Sequence, residues 1–586
     1  MLDLCEKPDY KSPFDLNLAA VEFVKKMSDS QRETMEVDAL FVGAGVGNLA
    51  AAYALKSKID AYNRTAEQRG EPPLRDPLLL AIDKCAQVGG HALSGAIVDA
   101  GSFRTLFPDV GDSDLPFLSP VTDESVRWLF RSGSLAIPGA LVPGELHNAG
   151  CYLASICDIS RWMAEKCGEL GVEVYTEFAA NELIRDGNAI AGARIADKRL
   201  DAMGNPADGY TPGMDILAKV TVLGEGTRGF LSQQLIGDFK LDAESNPQVW
   251  GLGIKELIEI PAGRIAQGSV IHTMGYPLDW STYGGGFIYA LSDTLLGLGL
   301  AIALDYRNPW LSTHGAFLEY KSHPMIAKLI QGGKVVEYGA KSLPEGGYFA
   351  LPQLAVDGAV LVGDSAGMIN CMRLKGIHLA IQSGMLAAER IFQAMRSNNF
   401  TRAALDYRPD FEAGWAGDEM RRARNFRQSF HRGLIPGLFA AGLHRISGGK
   451  LPGGRKSLPP DYVALRKATG PEPRKRPVSC DQELMLDIET DVFASGTIHR
   501  EDQAPHCRIV NPHACIQCEA DYAAPCTRFC PAKVYEEKRD AAGNFSGIHV
   551  SFSNCLHCKT CEIKDPLRNL RWFLPEGGDG PKYRRM

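Results

Sequence analysis

Val37-Asp38-Ala39-Leu40-Phe41-Val42-Gly43-Ala44-Gly45-Val46-Gly47-Asn48-Leu49-Ala50-Ala51-Ala52-Tyr53-Ala54-Leu55 is a short apolar run, a glycine turn and an alanine-rich stretch. It predicts a strand, a tight loop and a helix, the opening unit of a dinucleotide-binding α/β domain. Gly43 permits the turn, and Gly45 lets the backbone approach a pyrophosphate seated on the amides of the helix N-terminus. Asn48 stands where the third glycine of G-x-G-x-x-G is expected, which puts the helix-to-strand approach in question unless Gly47 relieves it. A polar insertion, Ser57 to Asp76, precedes a second apolar run, Leu78 to Ile82, that ends in Asp83. An acid there accepts the hydroxyls of an adenosine ribose. Far downstream, Gly358-Ala-Val-Leu-Val-Gly363-Asp364-Ser-Ala-Gly367 runs into a predicted helix from His378 to Met395. Gly363 and Asp364 suit the ribityl chain of a flavin, although Asp364 alone also reads as a helix cap. Together the three elements point to FAD.

The C-terminal region carries a different chemistry. Cys555, Cys558 and Cys561 stand at C-x2-C-x2-C spacing and Cys530-Pro531 lies upstream. Three thiolates from one loop and a fourth from a Cys-Pro segment are the ligands of a 4Fe-4S cube, and a structural zinc site is the competing reading. Eight of the 15 cysteines fall between Cys507 and Cys561, which is metal clustering rather than a disulfide framework. Three of them, Cys515, Cys518 and Cys526, precede Cys530 like another half-ferredoxin, with Cys507 and His513 nearby. In two-cluster ferredoxins the Cys before Pro serves the other half's cube, and Asp565-Pro566 occupies that place here. A second centre on Cys515, Cys518 and Cys526, completed by Asp565 or another ligand, is one reading; idle or zinc-binding cysteines are the other.

The chain's 586 residues suggest three or more domains, and 45% hydrophobic with 23% charged residues describes a globular protein. A net charge of −7 argues against a nucleic-acid partner. The first 27 residues have neither the apolar core of a secretory signal nor the composition of a transit peptide, and no run reaches the ~18 apolar residues of a spanning helix. Two shorter apolar segments, Trp128 to Val142 and Gly433 to Ile446, invite a monotopic membrane contact, the latter flanked by Arg427, His431, Arg432, Arg445 and Lys450. Core packing or a subunit interface explains them equally well. Between the flavin elements, Val249 to Tyr348 reads as a mixed sheet facing the flavin, a site for a second substrate. There Gly284 and Gly285 would let a flat ring approach the backbone, or form an ordinary hairpin turn.

Asn554-Cys-Leu-His-Cys-Lys-Thr-Cys-Glu-Ile-Lys-Asp565-Pro566, Gly89-Gly-His-Ala-Leu-Ser-Gly95, Pro277-Leu-Asp-Trp-Ser-Thr-Tyr-Gly-Gly285, Gly299 to Pro309 and Phe529-Cys-Pro531 closely resemble the electron-transfer flavoprotein:ubiquinone oxidoreductases. The resemblance covers nearly the whole chain from Val37. It implies a monotopic membrane enzyme with an FAD domain in two parts (37–248 and 349–425), an inserted quinone domain (249–348), a membrane-associating segment and linker (426–480) and a ferredoxin-like domain (481–586). It further implies Cys530, Cys555, Cys558 and Cys561 as ligands of a single cluster, Gly284 and Gly285 as quinone contacts, and hydroxyls of Tyr535 and Thr560 tuning the cluster. Electrons would pass from reduced electron-transfer flavoprotein through cluster and FAD to ubiquinone or menaquinone. Apart from the resemblance, the basic residues Arg568, Arg571, Lys582, Arg584 and Arg585 near the cluster domain suit an acidic partner or, equally, form a solvated face. The expected location is the cytoplasmic face of a bacterial inner membrane. The alternatives are an FAD-dependent prenyl-lipid reductase of the geranylgeranyl type, a non-catalytic relay subunit, and a nicotinamide-dependent hydroxylase.

Overall fold

A computed structural model describes residues 32–447, 454–473 and 478–586. The N-terminal segment judged above lies outside them.

The apolar run at Val37 is the centre of a parallel sheet, strand Thr34–Val42, which pairs on one side with Leu79–Ile82 and on the other with Asp215–Leu223. Ala359–Leu361 and Glu173–Tyr175 extend the parallel order outward, and the antiparallel pair Ala180–Asp186 and Ala189–Ile195 flanks it. Near-continuous burial of Ala39 to Val42 follows from helices on the faces of this sheet. Helix Val46–Ala66 crosses helix Ile377–Ser397 closely: a Cβ on Gly384 would stand 2.2 Å from the Gly47 carbonyl oxygen. The first ten residues of the predicted insertion continue the helix instead, because Ile59 is buried and Lys56 pairs with Asp60 one turn on at 2.7 Å.

The second sheet has seven strands in the order Lys334–Pro344, Trp250–Glu259, Leu295–Ala303, Gly284–Ala290, Ser269–Gly275, Asp123–Leu129, Ser134–Ile137. Its last two strands come from the first segment of the chain, joined through the parallel pair Ser269–Gly275 and Asp123–Leu129. Gly284 and Gly285 are not a hairpin turn: they open a strand and pair with Ile302 and Ala301. Glycine is required there by packing, since a Cβ would lie 2.3 Å from the Ala301 carbonyl oxygen at Gly284 and 2.5 Å from that of Thr273 at Gly285.

The C-terminal domain is two strand–helix–strand halves. Cys507–Ile509 pairs with Leu570–Trp572, and Tyr535–Arg539 pairs with Phe545–Val550. Helices Ala514–Tyr522 and Cys526–Phe529 occupy the first half and Thr560–Lys564 the second. The strand Lys334–Pro344 holds both cysteine loops: Tyr338 donates to the Pro531 carbonyl at 2.7 Å and Ser342 to that of Cys558 at 2.6 Å. Buried ion pairs fasten the same face. Lys321 and Glu256, both fully buried, meet at 2.6 Å, and His314 lies 2.7 Å from Asp491 of the C-terminal domain.

Candidate functional site

One cavity of about 770 Å³ brings the predicted residues together: Gly43, Gly45, Gly47, Asp83, Gly363, Asp364, Gly284 and Gly285 all wall it. Gly43 has φ +98°, and a Cβ there would press to 2.6 Å on the Gly224 carbonyl oxygen. A Cβ on Gly45 would meet no protein atom nearer than 3.8 Å, so the backbone is bare toward the cavity, as an approaching pyrophosphate requires. Asn48 resolves the departure from the glycine pattern. Its buried amide donates to the carbonyls of Val42 and Gly43, each at 2.8 Å, and the glycine that admits it is Gly224, just past the end of the neighbouring strand. The close contact has kept its glycine but moved it to the other partner, which the local motif could not reveal.

Asp83 accepts the Ala44 N–H at 2.8 Å and the Cys85 N–H at 2.9 Å, which fixes its carboxylate beside the turn with lone pairs left for hydroxyls. Asp364 lines the cavity half-buried, and the surrounding protein pushes its carboxyl up to about 6, against the opposing pull of Lys341. The folded state therefore holds this proton more tightly than the unfolded chain does. Its contribution to stability is complete below about pH 4 and is lost as pH rises through about 6. In chemical denaturation of the flavin-free protein, the wild type should lose stability relative to Asp364→Asn across this window; parallel curves for the two proteins would refute the assignment.

Cys530, Cys555, Cys558 and Cys561 are all buried, and their sulfurs lie near enough for Cys555 and Cys558 to raise the Cys530 and Cys561 thiols beyond what burial does. Thr560 donates to the Cys558 sulfur at 3.4 Å. The Tyr535 hydroxyl is buried with no hydrogen-bond partner and lies beside Cys561, a donor left aimed at the sulfur side of the site. These residues fit a thiolate-bound cluster. Cys507 was not singled out as a neighbour of this set. It stands against Cys555 and, by donating to it, holds that thiol well below its ordinary range. His506, Cys507 and Cys555 also lie within 4.8 Å of one another, close enough for a single ion. Arg571, expected on a solvated basic face, is buried; Lys582, Arg584 and Arg585 are exposed.

Two cations join the two halves of the site, Lys559 buried and Lys84 half-buried. Lys84 Nζ bridges His91 Nδ1 at 2.8 Å and His557 Nδ1 at 2.9 Å, so one ammonium ties the strand end after Asp83 to the cluster loop. Burial lowers Lys84 to about 8 and Lys559 to about 7. An anionic group in the cavity would restore both toward full charge.

The apolar segments meet at the same cavity. Helix Leu434–Ser447 contributes Leu434, Leu438 and Ala441 to its wall, and Leu141 and Val142 face it from the other segment. Ile435 (65% exposed), Phe439 (70%) and Ile446 (84%) project outward, with Leu135 and Leu141 exposed nearby in the fold, so core packing does not account for these segments. Arg427, expected as a flanking headgroup contact, is instead buried between Asp305 (2.7 Å) and Glu345 (2.8 Å). Lys450 lies outside the described residues. Among the described residues no helix is long and apolar enough to cross a membrane.

Comparison with known proteins agrees with this geometry. Residues 482–584 match the family model for the 4Fe-4S domain of electron transfer flavoprotein-ubiquinone oxidoreductase, and residues 250–343 match its ubiquinone-binding domain. The chain is 38% identical over 560 residues to the mitochondrial electron transfer flavoprotein-ubiquinone oxidoreductase of Oryza sativa subsp. japonica, covering 95% of this chain and 94% of that protein. It is likewise 38% identical to the Pseudomonas aeruginosa protein of that name, covering 95% and 100%. Among solved structures, a geranylgeranyl bacteriochlorophyll reductase-like protein from Thermoplasma acidophilum superposes with a TM-score of 0.50 at 16% identity, over 71% of this chain and 97% of that one, a likeness of fold. With the cysteine loops, the glycine strand and the dinucleotide turn each in place over almost the full length, the chain belongs to the electron transfer flavoprotein-ubiquinone oxidoreductase family.

Proposed function

We propose that the chain takes electrons from reduced electron-transfer flavoprotein and delivers them to a membrane quinone. The observation that carries this reading is the single cavity walled by the dinucleotide turn, the glycine strand, the cluster loop at His557 and Lys559, and the apolar helix at Leu434. FAD bound there, with a 4Fe-4S cluster on Cys530, Cys555, Cys558 and Cys561, supplies the exchange between one-electron and two-electron chemistry. The chain's own residues position these groups. Gly45 and the amides at the start of helix Val46–Ala66 receive the pyrophosphate, Asp83 the ribose and Asp364 the ribityl hydroxyls. The bare backbone of Gly284 and Gly285 receives the quinone ring. Lys84, Lys341 and Lys559 offset the negative charge that reduction brings. If Asp83→Ala and Asp364→Ala both kept full flavin content, this placement would be wrong.

The hydrogen bond from Thr560 to the Cys558 sulfur, and one that the otherwise unpartnered Tyr535 hydroxyl would donate to cluster sulfur, stabilise the reduced, more negative state and raise its potential. Each is worth about 1 kcal/mol, or about 40 mV for one electron, so Tyr535→Phe and Thr560→Ala should each lower the cluster midpoint by that order. Potentiometric titration followed by electron paramagnetic resonance reads this directly, and unchanged midpoints would defeat it.

Quinone tails reside in the bilayer, and the exposed rim of Ile435, Phe439, Leu135 and Leu141 around the cavity supports a peripheral seat in one leaflet, on the cytoplasmic face in a bacterial cell. Reduction of a short-tail ubiquinone by reduced electron-transfer flavoprotein, assayed with the purified chain alone, tests the function. Saturable turnover is expected. Its absence in protein loaded with FAD and cluster would overturn the proposal, and reduction of a prenyl double bond would favour the reductase alternative.

A further inference from the structure

The two halves of the C-terminal domain pair their strands in an exchanged order, and their cysteines follow it except that seven residues separate Cys518 from Cys526 where two separate Cys558 from Cys561. The outer strand of each half pairs with the far strand of the other: Cys507 opposite Trp572, and Tyr535 opposite Val550. In the second half the sequence runs Cys555, Cys558, Cys561, then Asp565-Pro566, and in the first half Cys515, Cys518, Cys526, then Cys530-Pro531. Cys526 is followed by Cys530, and Cys561 by Asp565, at the same spacing of four positions. Cys530 stands five residues before strand Tyr535–Arg539, and Asp565 five before Leu570–Trp572. Asp565 is therefore the structural counterpart of Cys530. Cys530 crosses over to join the three cysteines of the second half, so the same exchange directs Asp565 to the three cysteines of the first.

We infer that Cys515, Cys518 and Cys526, with Asp565 at the fourth corner, bind a second iron–sulfur centre, in addition to the cube on Cys530, Cys555, Cys558 and Cys561. Cys515 and Cys518 lie about one turn apart on helix Ala514–Tyr522, and Asn569 touches both the Cys515 sulfur and the Asp565 carboxylate. Helix Cys526–Phe529 packs on helix Thr560–Lys564, whose C-cap is Asp565. Cys515 and Cys526 are buried, Cys518 is partly exposed, and Asn569 Nδ2 lies 3.8 Å from the Cys515 sulfur. Asp565 Oδ2 accepts the N–H groups of Asn569 and Leu570, which fixes the carboxylate, and a carboxylate with about four lone-pair sites retains capacity for an iron. The partly exposed Cys518 and the exposed Ile516 on the same helix place this centre nearer the surface than the resident cube.

An oxygen ligand is harder than a thiolate and holds iron in a sulfur cube less firmly. The corner at Asp565 is thus the labile one. With ferricyanide as oxidant, the 4Fe-4S centre in its 2+ state releases one Fe2+ and passes one electron to ferricyanide, leaving a 3Fe-4S centre in its 1+ state.

Iron and acid-labile sulfide counted on the full-length protein, purified without air, test the inference. About eight iron and eight sulfide per chain are expected, falling to about seven iron after ferricyanide with a 3Fe-4S resonance appearing. In the Cys515→Ala/Cys526→Ala variant the count should drop to about four, with FAD content and the resonance of the resident cube unchanged. Asp565→Cys should retain about eight iron through the ferricyanide step. About four iron and four sulfide in the wild-type protein would overturn the inference, as would about one zinc per chain alongside that count. The wild-type count decides even if the variants fail to fold.

Discussion

Cys558→Ala will strip about four iron atoms from each chain and lower quinone reduction by electron-transfer flavoprotein at least about 100-fold, beyond the 10–100-fold usual when only an outer partner of a metal ligand is lost. The size of the effect follows from what the loop does. Cys558 sits between His557, which meets Lys84 beside the dinucleotide turn, and Lys559, which walls the cavity; its carbonyl is held by Ser342. Without a cluster, four buried thiols lose the group that organises them, and the loop loses its centre as well as its electron carrier. The flavin turn stands on separate strands, so FAD should be retained at full stoichiometry. Iron analysis, flavin absorbance and turnover on one sample check all three parts. Normal turnover with the iron gone would remove the cluster from the electron path.

Ile435→Asp/Phe439→Asp will release the protein from lipid vesicles. Both side chains project from helix Leu434–Ser447, 65% and 70% exposed, while the neighbouring Leu434 and Leu438 face the cavity. Removing two large apolar groups from a bilayer contact forfeits about 4 kcal/mol, which lowers partitioning about a thousandfold. Turnover with a short-tail quinone in detergent-free buffer should be unchanged, because neither side chain lines the cavity. Reduction of a long-tail quinone embedded in vesicles should fall with the partitioning. Undiminished vesicle binding in a sedimentation assay would return these segments to a subunit interface.

Much of this was legible in the chain because its chemistry depends on local spacing. The glycine turn, Gly363-Asp364 and the triplet Cys555, Cys558 and Cys561 each announce themselves within a dozen residues, Asp83 and Cys530-Pro531 stand at recognisable places in their own short segments, and all of them face one cavity or one loop pair in the fold. Relations made across the chain were not legible. Gly224 accommodates Asn48 from the end of a strand some 180 residues away, Cys507 stands against Cys555 from the other half of the C-terminal domain, and Lys84 meets His557 only after the domains dock. The insertion after Ser57 misled because its polar residues lie on the solvent face of a helix whose buried face is carried by Ile59. Arg427 and Arg571 looked like surface charge, since sequence does not reveal that Asp305 and Glu345 enclose the first, or that the second lies buried on a strand paired with Cys507–Ile509.

Electron passage from donor to quinone is read directly by an anaerobic titration of the purified, FAD- and cluster-loaded chain with reduced electron-transfer flavoprotein, followed by ubiquinone. Bleaching of the flavin absorbance together with appearance of the reduced-cluster resonance, both reversed when quinone is added, is the result expected. Oxidised flavin and a silent cluster after a full equivalent of donor, or reduced centres that quinone leaves reduced, would contradict it.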